Sequence, residues 1–175
     1  LTRFYRLTLG QKELFGTIDD EITHVTLYMQ LQNMRYNHCA DFIADIPPEL
    51  GSLTIPKLTF QPIVENAMIH GLRDCEEGHI LVRAFSKEER LFIEVMDDGC
   101  GISDEVLNHL NNRTAGAGVP SEGGEEALLR LGHIGFYNVD TIIRLHYGAE
   151  YGLSVCRPEE GGTKVTIMIP VRQGE

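Results

Sequence analysis

Residues Gln61–Gly71 read QPIVENAMIHG, an apolar helical pattern interrupted by a few polar side chains. The pattern predicts a helix from about residue 60, with Thr59 as its N-cap. Pro62 falls in the first turn, where its missing N–H leaves no hydrogen bond broken. Gly71 is expected to end the helix in the left-handed conformation that glycine adopts easily.

Three polar side chains on this helix are candidates for chemistry. Asn66 and His70 are four residues apart and share one face, with Glu65 about 100° round the axis. An amide, an imidazole and a carboxylate on an otherwise apolar helix cost free energy unless each is satisfied or used. The helix therefore presents either a polar edge to solvent or a binding site, and its residues alone leave both readings open.

A second motif, Asp97–Ile102 (DDGCGI), directly follows a predicted strand. The period of two puts Asp97 on the inward face of that strand, together with its apolar residues. There its carboxylate could accept a hydrogen bond from an exocyclic amine such as that of adenine. Gly99 and Gly101 would let the main chain approach a ligand closely. An Asp-Gly turn that merely ends a strand is the competing interpretation.

Two further glycine motifs follow along the chain. Gly132–Val139 (GHIGFYNV) enters a predicted helix, and the free N–H groups at a helix start suit phosphate. Gly161 and Gly162 precede Thr163 in a turn that opens the last predicted strand, and a simple hairpin turn explains this pattern equally well.

The first helix has an apolar face at helical spacing. It is predicted at residues 17–37, with Thr17 or Asp19 as its cap. Ile18, Ile22, Val25 and Met29 define its apolar side, and Tyr28, Leu31 and Met34 are expected to broaden it.

The remaining elements alternate short strands with helices and one long irregular segment. The prolines at 47 and 48 predict a turn between the first two strands, and residues 103–131 show no sustained apolar period, which is typical of a functional loop. This order predicts a two-layer α/β sandwich with a mostly antiparallel sheet and an N-terminal helical extension. Further strands are predicted at 42–46, 52–55, 80–85, 91–96, 151–156 and 163–169, and a last helix at 136–148.

Composition excludes several classes of protein. The 175 residues carry a net charge of −11, which argues against nucleic acid as a partner. No stretch approaches the roughly 20 apolar residues of a membrane span. The four scattered cysteines have no metal-ligand spacing and are expected to be free thiols. Neither a Walker motif nor a Rossmann glycine fingerprint occurs.

Taken together and in this order, the motifs resemble the N box and glycine boxes of the GHKL ATP-binding superfamily, whose fold is the Bergerat α/β sandwich. More narrowly, the residue sequence of these motifs resembles that of sensor histidine kinases of the LytS/YesM type. The matching segments are Leu58–Gly71, Val95–Ile102, Gly132–Val139, Arg144–Gly152 and Gly162–Pro170.

The resemblance also implies a division of the chain. Asp20–Tyr36 is similar to the segment that joins the family's dimerisation helices to its catalytic domain. Residues 1–38 would be the end of the dimerisation and linker region, and residues 39–175 the ATP-binding catalytic domain.

The same resemblance implies that the chain binds ATP and Mg²⁺. Asn66 would coordinate the Mg²⁺ that bridges the phosphates, Glu65 would polarise the attacking group or support the metal ion, and Asp97 would bind the adenine amine. Residues 103–131 would form a lid over the nucleotide. The other implied nucleotide-binding residues are His70, Gly99, Gly101, Gly132, Gly135 and Thr163.

Three positions depart from the family pattern. Ile69 stands where a lysine is frequent, which removes a positive charge next to a polyanion and could weaken ATP binding. Asp98 replaces a usual asparagine and Phe136 a usual leucine, and both changes look tolerable.

The family's phosphoacceptor motif, Pro-His-Phe-x-Tyr-Asn, does not occur in this chain, and the surroundings of His24 do not match it. The resemblance therefore implies that the acceptor histidine lies on an upstream helix outside this fragment. Further implied partners are a cognate response regulator and a second copy in a full-length homodimer. The parent would be a bacterial membrane-bound kinase with this domain in the cytoplasm. Two alternatives stay open: another GHKL ATPase, and a regulatory module impaired in ATP binding.

Overall fold

The computed structural model describes residues 14–36, 40–72, 77–114 and 134–171. Its strands are β1 (Phe15–Thr17), β2 (Asp41–Asp45), β3 (Thr54–Pro56), β4 (His79–Lys87), β5 (Arg90–Asp97), β6 (Gly152–Cys156) and β7 (Thr163–Pro170). Its helices are α1 (Ile18–Tyr36), α2 (Pro48–Gly51), α3 (Gln61–Asn66, continued by a π-helical turn at Ala67–Gly71), α4 (Asp104–Thr114) and α5 (Ile134–Tyr147).

Five strands form the main sheet in the order β2-β4-β5-β7-β6, and β1 pairs with β3 in a separate ribbon. The β2–β4 pair is parallel, and the other pairs of the main sheet are antiparallel. The inward face of β5 and β7 is apolar, because side chains alternate along a strand. These buried residues are Leu91, Ile93, Val95, Val165, Ile167 and Ile169. The predicted two-layer sandwich with a mostly antiparallel sheet is confirmed.

Helix α1 begins with a reciprocal cap. The Thr17 hydroxyl accepts a hydrogen bond from the Asp20 amide at 3.0 Å, and the Asp20 carboxylate accepts one from the Thr17 amide at 3.0 Å. This arrangement satisfies two amides at the helix start. Ile18, Val25 and Met29 are buried, as their spacing predicts.

The predicted extension of that apolar face is wrong for Leu31 and Met34. They are 65% and 82% exposed, and Leu27 beside them is 53% exposed. At about 100° per residue, these three side chains lie on the side of α1 opposite Val25 and Met29. The helix thus has an apolar stripe on its outer side as well as on its core side.

Several boundaries differ from the sequence prediction. Residues 47–48 lead into the short helix α2 rather than a simple turn, and the strands on either side of it, β2 and β3, belong to different sheets. Thr59 does not cap α3, since its hydroxyl donates to the Pro56 carbonyl at 2.6 Å. Gly71 ends a π-helical turn and is not among the glycines with a positive φ.

The irregular segment predicted at 103–131 begins with a helix. In α4, Val106 and Leu110 are buried four residues apart, which is helical spacing. The Ser103 hydroxyl accepts a hydrogen bond from the Val106 amide at 3.4 Å, at the N-terminus of α4. This short apolar pattern did not predict a helix, because the residues around it are mostly polar. The rest of the predicted lid, residues 115–131, lies outside the described residues, as does the predicted domain boundary at residue 38.

Within the described ranges, no helix is both long and apolar enough to cross a bilayer.

Candidate functional site

A pocket lies where the α3 helix meets the ends of β5 and β7 and the start of α5. Five of the predicted site residues line it: Asn66, His70, Asp97, Gly101 and Thr163. The remaining lining residues are Ile63, Ala67, Gly71, Val95, Ile102, Phe136 and Val165, and most of them are apolar. The fold therefore gathers residues that lie far apart in the chain into one partly apolar cavity.

Asn66 is held in place by its own helix. Its side chain is 7% exposed, and its Nδ2 donates to the Pro62 carbonyl at 2.8 Å. This hydrogen bond leaves the amide oxygen as the group available for a ligand, and such oxygens coordinate Mg²⁺ in proteins.

Gly135 brings α5 against this asparagine. A Cβ atom on Gly135 would lie 3.0 Å from Asn66 Nδ2 and 3.0 Å from Pro62 Cβ. Both distances are at the lower limit of real contacts, so a glycine allows the start of α5 to pack directly on the Asn66 helix. The helix predicted at 136–148, with its entry in the Gly132–Val139 motif, is present as Ile134–Tyr147.

Asp97 occupies the inner end of β5, directly opposite Thr163 of β7. It is 9% exposed, and its Oδ1 accepts a hydrogen bond from the Gly99 amide at 3.0 Å. Burial raises the pKa of the Asp97 carboxyl, and hydrogen bonds from Gly99 and Thr163 only partly oppose this increase. A buried carboxylate with a raised pKa at a pocket wall is typical of a functional site.

Glycines after Asp97 let three main-chain segments meet. A Cβ atom on Gly99 would lie 2.0 Å from the Gly71 carbonyl oxygen, and one on Gly162 would lie 1.8 Å from the Asp97 carbonyl oxygen. The Cys100 amide donates to the Gly71 carbonyl at 2.9 Å, which fixes this approach. Gly101 and Gly162 also have positive φ values of 79° and 73°. The motif thus joins the π-helical turn to β7 around the Asp97 side chain.

Three predicted site residues are not part of the pocket wall, namely Glu65, Gly99 and Gly135, and one is not described. Glu65 is half-buried on α3, where its carboxylate accepts a hydrogen bond from Gln61 Nε2 at 2.8 Å, and it does not line the cavity. Gly99 lies behind the wall, against Gly71. Gly132 lies outside the described residues.

Sequence reasoning missed the apolar wall of the pocket and the anchor of α3. Ile63, Ile102 and Val165 had no predicted role in the site, although helical spacing puts Ile63 on the Asn66 face and strand spacing puts Val165 on the face of Thr163. Glu21 had no predicted role, yet its carboxylate is buried and accepts hydrogen bonds from the main-chain amides of the residues that precede α3. Nothing local in the sequence signals this contact.

An exposed ionic contact lies next to the site aspartate, between Asp98 and His79. His79, at the start of β4, meets Asp98 twice: the His79 amide donates to Asp98 Oδ1 at 2.7 Å, and its Nδ1 lies 2.7 Å from Asp98 Oδ2. The hydrogen bond and the charge of Asp98 raise the pKa of His79. Desolvation acts to raise the pKa of Asp98, but the hydrogen bonds and charge of His79 lower it overall. Asp98, which stands where an asparagine is usual, therefore has His79 as its partner.

This pair predicts a pH-dependent stability. The histidine contribution is complete below the ordinary pKa of 6.5 and is lost as the pH rises through the raised value. The aspartate contribution is complete above 3.8 and is lost as the pH falls through the lowered value. We expect the pair to stabilise the fold most between these two pH values, as measured by urea unfolding.

Replacing the histidine tests that expectation. His79→Ala should lose most stability at about pH 5, inside this window, and little at a pH well above the raised pKa of His79. The exposed His24→Ala on α1 is the control and should keep the wild-type pH dependence. Equal losses of unfolding free energy for His79→Ala at both pH values would contradict the assignment.

The described residues contain no group of three or more His, Cys, Asp or Glu side chains able to hold a metal ion on their own. A sheet covered by helices, with glycine-rich turns and an inward Asp97 around a partly apolar pocket, defines a nucleotide-binding α/β sandwich. Residues 54–173 match the family described as "Histidine kinase-, DNA gyrase B-, and HSP90-like ATPase". The chain belongs to this ATP-binding family.

Among curated proteins, the chain is similar to sensor histidine kinases. The chain is 29% identical over 173 residues to the sensor histidine kinase BtsS of Escherichia coli K12, which covers 98% of this chain and 27% of BtsS. It is 32% identical over 171 residues to the sensor histidine kinase YesM of Bacillus subtilis, with 95% of this chain and 26% of YesM covered. The chain thus spans only about a quarter of the length of these relatives.

Solved structures support the fold. The catalytic domain of the histidine kinase ThkA superposes with a TM-score of 0.61 over 91% of this chain and 97% of that domain, at 16% sequence identity. A histidine kinase domain from Erythrobacter litoralis gives a TM-score of 0.54 at 16% identity, covering 89% of this chain and 61% of that one. The predicted Bergerat fold is therefore confirmed.

Proposed function

We propose that this chain is the catalytic domain of a two-component sensor histidine kinase, which binds ATP with Mg²⁺ and positions the γ-phosphoryl group for transfer to a histidine. The observation that carries the proposal is the convergence of Asn66, Asp97 and Thr163 on one pocket. Similarity to sensor kinases along nearly the whole chain supports the same conclusion.

The lining of the pocket matches the chemistry of an adenine ring. Ile102, Phe136 and Val165 supply apolar surface for the faces of a purine. Asp97 is a hydrogen-bond acceptor, which matches the exocyclic amine of adenine and mismatches the carbonyl oxygen that guanine carries at the corresponding position. We therefore assign adenine recognition to Asp97, with Gly99, Gly101 and Thr163 shaping the space around it.

The phosphates need charge neutralisation that the described pocket wall does not supply, since its lining residues include no lysine or arginine. Asn66 would hold a Mg²⁺ ion through its amide oxygen, and His70 lies on the same helix face four residues on. When bound, the metal ion neutralises phosphate charge during phosphoryl transfer. Gly132 and Gly135 would let the α5 start approach the phosphates closely.

Glu65 is proposed to act on the attacking group. It precedes Asn66 in the chain, and Gln61 holds its carboxylate at 2.8 Å. A carboxylate beside the metal-binding asparagine can accept the proton of an incoming imidazole or orient that ring. Because Glu65 does not line the nucleotide pocket, it would face the histidine rather than ATP.

The acceptor histidine and the remaining partners are proposed to lie outside this chain. An upstream helix would supply the histidine, a second copy of the full-length protein would complete a homodimer, and a response regulator would take the phosphoryl group. The domain would work in the cytoplasm, attached to a membrane-bound sensor.

Mixing the chain with an upstream helical segment that carries the acceptor histidine tests the proposal. With ATP and Mg²⁺ we expect acid-labile, base-stable phosphate on that segment, and none with Asn66→Ala. Steady ATP hydrolysis without phosphate transfer would contradict a kinase role and favour another GHKL ATPase.

One observation favours an alternative function. Ile69 is 58% exposed on the π-helical turn, where relatives of this type often carry lysine, so no positive charge is offered there. A regulatory module with impaired ATP binding would explain this residue. Titration of the wild-type chain with ATP and Mg²⁺ decides between the two, because saturable binding excludes the impaired module and its absence excludes the kinase.

A further inference from the structure

Glu21 is a buried carboxylate that the proposed chemistry does not use. It lies one turn into α1, and its side chain is 2% exposed. A carboxylate removed from water to this degree is costly unless charge-assisted hydrogen bonds replace its hydration.

Three consecutive main-chain amides provide this replacement. Glu21 Oε1 accepts from the Leu58 amide at 2.9 Å, and Oε2 accepts from the Thr59 amide at 2.9 Å and from the Phe60 amide at 3.2 Å. These residues immediately precede α3. The N-cap residue of α3, Phe60, makes no capping hydrogen bond with its side chain. Glu21 therefore satisfies the helix start from another helix, and its negative charge complements the positive end of the α3 dipole.

The anchored segment continues directly to Asn66. The Phe60 carbonyl accepts hydrogen bonds from the Ile63 and Val64 amides, each at 3.0 Å. One turn further on, the Pro62 carbonyl accepts the Asn66 side chain at 2.8 Å. With only six residues before its π-helical turn, α3 has little length over which a shift at its start could be absorbed.

From this chain of contacts we infer that Glu21 is a positioning residue for Asn66, and that it couples α1 to the metal-binding part of the nucleotide site. The inference rests on the proposed role of Asn66 in holding Mg²⁺. Glu21 does not line the pocket, so it acts only through the placement of α3. Asp97 is held on β5 by its pairing with β7 and meets the Asn66 helix only at its far end, Gly71, so we expect this part of the site to depend much less on the anchor.

Binding measurements with two probes exploit this separation. We expect Glu21→Gln to weaken binding of ATP in excess Mg²⁺ by about tenfold, because small displacements of a ligand group cost that much. Binding of ADP in the presence of a chelator should change by less than about twofold, within ordinary additivity error. The exposed Glu49→Gln removes the same charge on α2 and should leave both affinities at the wild-type value.

A double-mutant comparison distinguishes positioning from general destabilisation. In an Asn66→Ala background, Glu21→Gln should cause no further loss of ATP–Mg²⁺ affinity, because its effect passes through Asn66. A loss that persists in that background, or an equal loss for both probes, would overturn the inference. Failure of the proposed function would be visible separately, as an absence of ATP binding by the wild-type chain.

Hydrogen exchange on the wild-type chain covers the case in which Glu21→Gln does not fold. If the Glu21 contacts favour the metal-binding geometry, ATP with Mg²⁺ must strengthen them in return, because coupling between two sites is reciprocal. The amides of Leu58, Thr59 and Phe60 should then exchange more slowly with ATP–Mg²⁺ than with metal-free ADP. Identical exchange in the two complexes would refute the coupling.

Discussion

Asp97→Asn should lower the affinity for ATP by roughly a hundredfold, the size expected when a charge-assisted hydrogen bond in a buried site is lost. The ionised carboxylate offers only acceptors to the amine of adenine, whereas the amide nitrogen of asparagine is a donor and would oppose it. The contact with Gly99 is retained, since an amide oxygen can still accept from the Gly99 amide, which lies 3.0 Å from Oδ1. Isothermal titration of the folded domain measures the loss.

The matched control for this substitution is Asp98→Asn. Asp98 is adjacent in the chain but is paired with His79 outside the pocket wall. It should reduce ATP affinity by no more than about twofold. Similar losses for the two variants would mean that the negative charge of this segment matters and that Asp97 has no specific contact with the base.

Asp97→Asn should not destabilise the fold at pH values well above the raised pKa of Asp97. Burial raises the pKa of Asp97 above its ordinary 3.8, so the folded state binds a proton more tightly than the unfolded state does. The contribution of Asp97 to the free energy of unfolding therefore falls as the pH rises from 3.8 through the raised pKa. Above that pKa, the full cost of burying the charged carboxylate is present. The neutral amide of the variant has no such titration, and we expect the variant to match or exceed the wild-type melting temperature at pH values well above that window.

How much of this site the sequence could predict depends on whether a residue's partners are local. Asp97 was placed inward by the period of two along β5, and Asn66 was singled out by its polarity on an apolar helix, and both lie in the pocket. Ser103, Val106 and Leu110 offered the same kind of local signal for α4, but it was outweighed by the polar residues around it.

Features set by distant partners were not predictable from the sequence. Thr59 has the local pattern of an N-cap, but its hydroxyl donates to the Pro56 carbonyl, and the amides of residues 58–60 donate to the distant Glu21 carboxylate instead. By contrast, a turn of about 100° per residue already places Leu31 and Met34 on the outer side of α1, so assigning them to the core face was an error of helical phase. The parallel pairing of β2 with β4 also depends on how the whole chain is arranged rather than on either strand.

Gly99→Ala should abolish nucleotide binding and destabilise the fold. The added methyl group would lie 2.0 Å from the Gly71 carbonyl oxygen, a main-chain atom that cannot rotate away as a side chain could. Relief requires the Asp97–Gly101 segment to separate from the π-helical turn, which breaks the 2.9 Å hydrogen bond from the Cys100 amide to Gly71. Overpacking of this kind typically costs about 1–3 kcal/mol and is accompanied by main-chain shifts.

Gly16→Ala is the matched control. A Cβ atom there would lie 3.4 Å from the flexible Lys57 side chain and at no positive φ, so the variant should keep wild-type stability and ATP affinity. Urea unfolding separates the two consequences expected for Gly99→Ala: lower stability, and loss of binding under conditions where the variant remains folded. Loss of binding is expected because Asp97 and Asn66 belong to different segments. The contact of Gly99 with Gly71 holds the end of β5 against the helix that carries Asn66. A Gly99→Ala variant that binds ATP as tightly as the wild type would show that this close approach does not hold the two halves of the pocket together.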